Sequence, residues 1–76
     1  MNKLRRKQLS ELSEKLTELR ELLETLKDEE EEYMDSIPEN LQSSSRYEVA
    51  ENAVDNLDSA MDSLEEAISC IESATE

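Results

Sequence analysis

IPENLQSSSRYE, Ile37 to Glu48, contains the chain's single proline and separates two long runs of helix-forming residues. Pro38 lacks an amide hydrogen and disfavours helical geometry at Ile37, so a helix arriving from upstream ends near Ser36. Ser36-Ile37-Pro38-Glu39 and Ser45-Arg46-Tyr47-Glu48 both match the Ser-x-x-Glu capping box, in which hydroxyl and carboxylate satisfy the free amides of a first helical turn. The first predicts a short turn through Leu41, the second the start of a long helix. Two starts so close together describe a reversal, with Leu41 as the apolar plug of the corner and Tyr47 beside it.

Upstream of the corner, Leu9, Leu12, Leu16, Leu19, Leu23 and Leu26 alternate steps of three and four, continuing to Tyr33 and Ile37 with Glu30 at the one missed position. This is a heptad seam, with Leu9, Leu16 and Leu23 at a and Leu12, Leu19 and Leu26 at d. Downstream, Ala50, Val54, Leu57, Met61, Leu64, Ile68 and Ile71 repeat the arithmetic. Beside that second seam Ala53, Ala60, Ala67 and Ala74 recur every seven residues. Small side chains in one column let another helix come close, although alanine is also simply a good helix former.

The expected architecture is one all-α domain: a helix over about 3–36, a turn over 37–45 and a helix over about 46–74, folded back as an antiparallel coiled-coil-like hairpin. Antiparallel pairing brings Leu26 near Leu57, Leu19 near Leu64, Leu12 near Ile71 and Tyr33 against Ala50. The same register brings Lys27 to Asp58 and Arg20 to Glu65. It also sets Arg5, Arg6 and Lys7 beside Glu72 and the negative end of the second helix dipole. Two helices bury only one stripe each, so Leu22, Ala53, Ala60, Ala67 and Ala74 stay wet in a single hairpin. Pairing two hairpins into a four-helix bundle covers them, and 76 residues are few for a core that stands alone.

The stretch EEEEYMDSIPENLQSSSRYEVAENAVDNLDSAMDSLEEAI resembles a pattern carried by small acidic helical proteins of bacteria and their phages or mobile elements. In these an acidic run leads into PENLQ, followed by a Ser-Arg-Tyr-Glu-like helix start and an Ala/Leu repeat. The resemblance covers about Glu29 to Ile71, and PENLQ with the following RYE is its specific part. It implies a helical hairpin and a bacterial or phage origin; no activity, ligand or catalytic residue comes with it.

Composition removes most chemistry. The chain has no histidine and no glycine, hence no Ser-His or Cys-His dyad, no P-loop, no dinucleotide fingerprint and no EF-hand loop. Carboxylates spaced along a helix, as in DEEEEY, point in several directions and do not enclose a metal. A catalytic carboxylate pair needs a cleft that two helices hardly provide. The expectation is a non-enzyme without cofactor or metal. Cys70 stands alone, which fits a reducing compartment. No apolar run approaches the roughly 20 residues needed to cross a bilayer, and MNKLRRKQ is not followed by a signal-like apolar stretch. These features point to a soluble cytoplasmic protein; that the cell is a bacterial host is what the resemblance implies.

What remains is charge. The net is −13, unevenly placed: Met1 to Lys27 holds seven Lys/Arg and five Glu, whereas Asp28 to Glu76 holds Arg46 alone against sixteen Asp/Glu. On the first helix the positions opposite the seam are Glu11, Glu14, Glu18, Glu21, Thr25, Asp28, Glu32 and Asp35. On the second, Glu48, Glu51, Asp55, Asp58, Asp62, Glu65 and Glu72 form another ladder, interrupted at Ser69. Solvated helix faces normally mix signs, because like charges three or four residues apart weaken a helix by a few tenths of a kcal/mol each. Two carboxylate rails approach the charge pattern of duplex DNA, which carries one charge per about 1.7 Å. The expected partner is therefore a basic protein that handles nucleic acid, and the expected role that of a DNA mimic, a phage-encoded inhibitor of host defence. Glu11 to Asp35 and Glu48 to Glu65 on these rails would contact the partner, while Ile37, Pro38, Leu41 and Tyr47 at the corner would supply shape. The rival expectation is a structural dimerisation or scaffold module whose acidic face only confers solubility. Direct nucleic-acid binding through KLRRK is disfavoured by the absence of an aromatic platform.

Overall fold

A computed structural model describes residues 1–42 and 44–76. Ser43, part of the expected turn, lies outside the described residues. Two helices pack against each other: α1, Lys3–Asp35, and α2, Ser45–Ala74, joined through a single 3₁₀ turn at Glu39–Leu41. No strand occurs among the described residues. The molecule is a rod of 59 × 15 × 13 Å, close to the length of α1 at 1.5 Å per residue.

Each helix begins on a side-chain cap. Asn2 accepts a hydrogen bond from the Arg5 amide at 2.6 Å, so α1 is helical from Lys3. At α2 the cap is Ser44, one residue before the expected Ser45: its hydroxyl oxygen accepts from the Tyr47 amide at 3.4 Å. Consecutive serines offer near-equivalent caps, and the backbone is extended at Ser44, where a cap residue must be. Glu48 then falls one position too late for the reciprocal bond of a capping box.

The first expected capping box is also corrected. Ser36 closes α1 instead of opening the next turn; its hydroxyl donates to the Tyr33 carbonyl at 2.7 Å, and the 3₁₀ turn starts at Pro38 without a side-chain cap. Leu41 does not plug the corner, being about half exposed. Ile37 does, at 7% exposure, because it continues the inner line of α1 one step beyond the helix end. The reversal is made without any positive φ among the described residues, which suits a chain that has no glycine.

The inner face of α2 is the expected one: Ala50, Val54 and Met61 are buried, and Leu57, Leu64, Ile68 and Ile71 are half-buried. That of α1 is rotated. Leu9, Leu16 and Leu23 turn inward, but the second inward column is Ser13, Arg20, Lys27 and Met34 rather than the leucines at d. Leu12, Leu19 and Leu26 are 44%, 55% and 48% exposed, and Tyr33 is 41% exposed. The long aliphatic stems of Arg20 and Lys27 cover the seam while their charged ends reach its edge, and Ser13, at 8% exposure, is small enough to be enclosed.

Arg20 meets Glu65 and Lys27 meets Asp58, the latter at 2.9 Å. Both contacts follow the register expected from the sequence. Carried along the helices, that offset sets Ala74, the last residue of α2, level with Glu11. The first two turns of α1 therefore overhang, and residues 1–8 are all exposed. Arg5, Arg6 and Lys7 accordingly make no ion pair with Glu72 among the described residues, contrary to expectation: α2 ends before reaching them.

Candidate partner-binding surface

Antiparallel packing gives the rod two unlike flanks, because columns displaced in the same rotational sense from the two seams arrive on the same side. One flank is ionic. Arg20 hydrogen-bonds Glu65 through Nε at 2.8 Å and lies 3.4 Å from Glu24; Lys27 bridges Asp58 and, at 3.5 Å, Glu31. The bond to Glu65 holds the Arg20 guanidinium above its ordinary pKa, and the bond to Asp58 does the same for the Lys27 ammonium, each against a partial desolvation that acts the other way. Near the open end this flank forms a shallow polar groove lined by Ser13, Thr17, Glu14 and Glu18 opposite Ile71 and Glu72. The Thr17 hydroxyl donates to the Ser13 carbonyl at 3.0 Å.

The outer edges carry the carboxylate rails. Glu11, Glu14, Glu18 and Glu21 are exposed along the back of α1, followed by Asp28, Glu32 and Asp35. Glu48, Glu51, Asp55 and Asp62 are exposed on α2, as are Asp58 and Glu65, the two rail positions that engage a base. Glu30 and Glu31 turn partly inward. Among the described residues only Arg20 and Lys27 form ion pairs, so four of the 21 acidic side chains are matched. No three of the described acidic or thiol side chains converge into a group that would hold a metal.

The opposite flank is mostly apolar, broken on α1 by the exposed Lys15 between Leu12 and Leu19. Leu12, Leu19, Leu22 and Leu26 line it from α1, and Ala60, Ala67 and Ala74 from α2, all exposed, with Ala53 half-buried. Val49, 68% exposed, extends it beside Tyr33. The Arg46 guanidinium lies 5.9 Å from the centre of the Tyr33 ring, a cation–π distance. At the corner the flank runs into a cleft of about 320 Å³ between Tyr33, Ser36, Ile37, Pro38, Leu41 and Arg46. Of the expected corner residues, Ile37 is buried beneath this cleft, Pro38 and Leu41 rim it, and Tyr47 is half-buried within the first turn of α2.

The expected dimer-facing residues thus share one flank. The leucines at d and Val49 were not expected there; the hint lay in Arg20 and Lys27, whose expected pairing with Glu65 and Asp58 requires their own column to turn toward α2. Cys70 is exposed and unbridged. Among the described residues no helix is long and apolar enough to cross a membrane. No family model, curated protein or solved structure matches the chain.

Proposed function

We propose that this chain is a non-enzymatic acidic binding protein that occupies the basic, nucleic-acid-binding surface of a partner protein, as a DNA-mimic inhibitor of a host defence system encoded by a phage. The observation that carries the proposal is the pair of exposed carboxylate rails, on which only Asp58 and Glu65 engage a base among the described residues. Repeated like-charge neighbours such as Glu11, Glu14 and Glu18 cost helix stability, and a basic groove built to hold phosphates repays that cost on binding. The phage origin and bacterial cytoplasm rest on the resemblance of the PENLQ segment. In the same proposal two hairpins pair through their apolar flanks into a four-helix bundle, doubling the number of rails.

Association through the rails is fast and falls steeply with salt, as electrostatically steered binding does. The test is to immobilise the chain, pass a bacterial lysate over it, and elute in parallel with rising salt and with duplex DNA. Nucleic-acid-handling proteins released by both are the expected result. If duplex DNA releases nothing, or a variant with Glu11, Glu14, Glu18 and Glu21 changed to Gln retains the same proteins, the mimic proposal fails.

The apolar flank favours a second reading: a structural dimerisation or scaffold module whose acids only keep it soluble. Its partners would bind through the Leu/Ala flank, insensitive to salt.

A further inference from the structure

The overhang of α1 is a helix with nothing beside it among the described residues. It carries Leu4, 65% exposed, and Lys3, Arg5, Arg6 and Lys7, none of which forms an ion pair. At the other end of the rod lie the apolar corner cleft and the chain's densest negative charge, with Asp28, Glu29, Glu30, Glu31, Glu32 and Asp35 on the last turns of α1 and Glu39 just beyond. The two ends are complementary, yet they are the length of the molecule apart.

Building on the proposed pairing of two hairpins, we infer that the occupant of the apolar flank is a second copy in head-to-tail order, with the basic overhang of each copy laid across the acidic corner of the other. Two flanks can be stacked face to face in two ways related by a two-fold axis. An axis parallel to the helices puts both corners at the same end, acid on acid, and leaves the two basic overhangs side by side. An axis across the helices puts each overhang against the partner's corner. Charge selects the second arrangement, since opposed patches favour and like patches penalise an interface.

The apolar positions accept that order. With the axis passing through Leu19, Leu12 lies over the second copy's Leu26, Leu4 reaches the level of its Met34 at the lip of the cleft, and Arg5, the overhang's base on this side of α1, comes within about a turn of its Glu30 and Glu29. The intramolecular offset sets Glu66 level with Leu19, so that Ala67 lies one residue from the axis and Ala60 comes within two residues of the second copy's Ala74. Leucines therefore meet leucines along one side and alanines meet alanines along the other, where the helices approach closely. A flank about 15 Å wide along this rod offers a footprint on the order of 800 Å² per copy, the size of a standard stable interface.

The test places one spin label at the exposed corner residue Asn40, as N40C in a C70S background of the full chain, and combines sedimentation with a label-to-label distance. The expected result is a dimer whose labels are roughly 50 Å apart, one helix length. A dimer with labels closer than roughly 25 Å has its corners together and overturns the head-to-tail order while leaving the four-helix bundle standing. A monomer at all concentrations overturns both, with the rails still to be judged by the DNA elution. Charge exchange gives an independent check. A chain with Arg5 changed to Glu, and one with Glu29 and Glu30 changed to Lys, should each self-associate on the order of tenfold more weakly than the parent. Mixing the two should restore association; no gain on mixing overturns the inference.

Discussion

Ala50 is the most enclosed core residue of the hairpin, at 1% exposure, on the first turns of α2 where the chain has just reversed. Replacing it with leucine adds three carbons where the structure has no room, and overpacking of this kind costs about 1–3 kcal/mol. For a domain of this size each kcal/mol moves the melting temperature by about 4–8 °C. Ala50→Leu should therefore lower Tm by roughly 5–20 °C. Helix propensity contributes little, since leucine is nearly as good a helix former as alanine. Ser59→Leu is the matched control: it adds a leucine to the exposed back of the same helix, where the effect should stay within about 0.5 kcal/mol. Thermal melts followed by circular dichroism suffice, at one fixed protein concentration because any dimerisation couples Tm to concentration. Equal shifts for the two variants, or a gain in stability from Ala50→Leu, would refute the packing of α2 described for the corner.

Ser44→Ala should cost about 1 kcal/mol in chemical denaturation and Ser45→Ala much less; the reverse order would move the cap of α2 back to Ser45. The raised pKa of Lys27 means that its charge is favoured by folding. Its contribution is thus complete below the ordinary lysine value of about 10.4 and disappears as pH climbs through the raised one. Melts between neutral and strongly alkaline pH should show a loss of Tm that is smaller in Lys27→Met; an identical alkaline profile would mean the bond to Asp58 does not persist in solution. With a net charge of −13, self-repulsion outweighs the few exposed ion pairs, so added NaCl should raise Tm by screening it. A Tm that falls with salt would show instead that the pairs on the ionic flank dominate.

The two helices and their direction were legible because three independent signals agree: leucine periodicity on both sides of Pro38, the helix stop at Ser36, and opposite charges that align at Arg20 with Glu65 and Lys27 with Asp58. The rotation of α1 was not. A stripe of leucines at a and d shows that a broad face is apolar, but not which part of it the partner helix covers. Here Arg20 and Lys27, charged residues that pattern alone assigns to solvent, occupy the edge with their stems and displace Leu12, Leu19 and Leu26 sideways. The corner misled for a similar reason. Leu41 lies in the middle of the turn between the two capping signals, but Ile37 holds the next step of the inner line and reaches the interior first. The overhang was hidden behind an attractive electrostatic contact, Arg5 to Lys7 against the end of α2, which α2, ending at Ala74, does not reach. For the surface, exposure of the rails was legible from their position opposite the seam, whereas the gathering of apolar residues on one flank depended on the rotation and so emerged only with the fold.

The corner also sets the order in which the rod comes together. Between Ile37 and Ala50 the chain closes a short loop, while the groove shared by Ser13 and Ile71 joins segments far apart in the sequence. Loop closure grows costlier with separation, so pairing is cheapest at the reversal and each further turn is added beside one already in place. The hairpin should close like a zipper from Ile37 and Ala50 outward, giving rapid folding dominated by the bend, and it should reopen first at its free end.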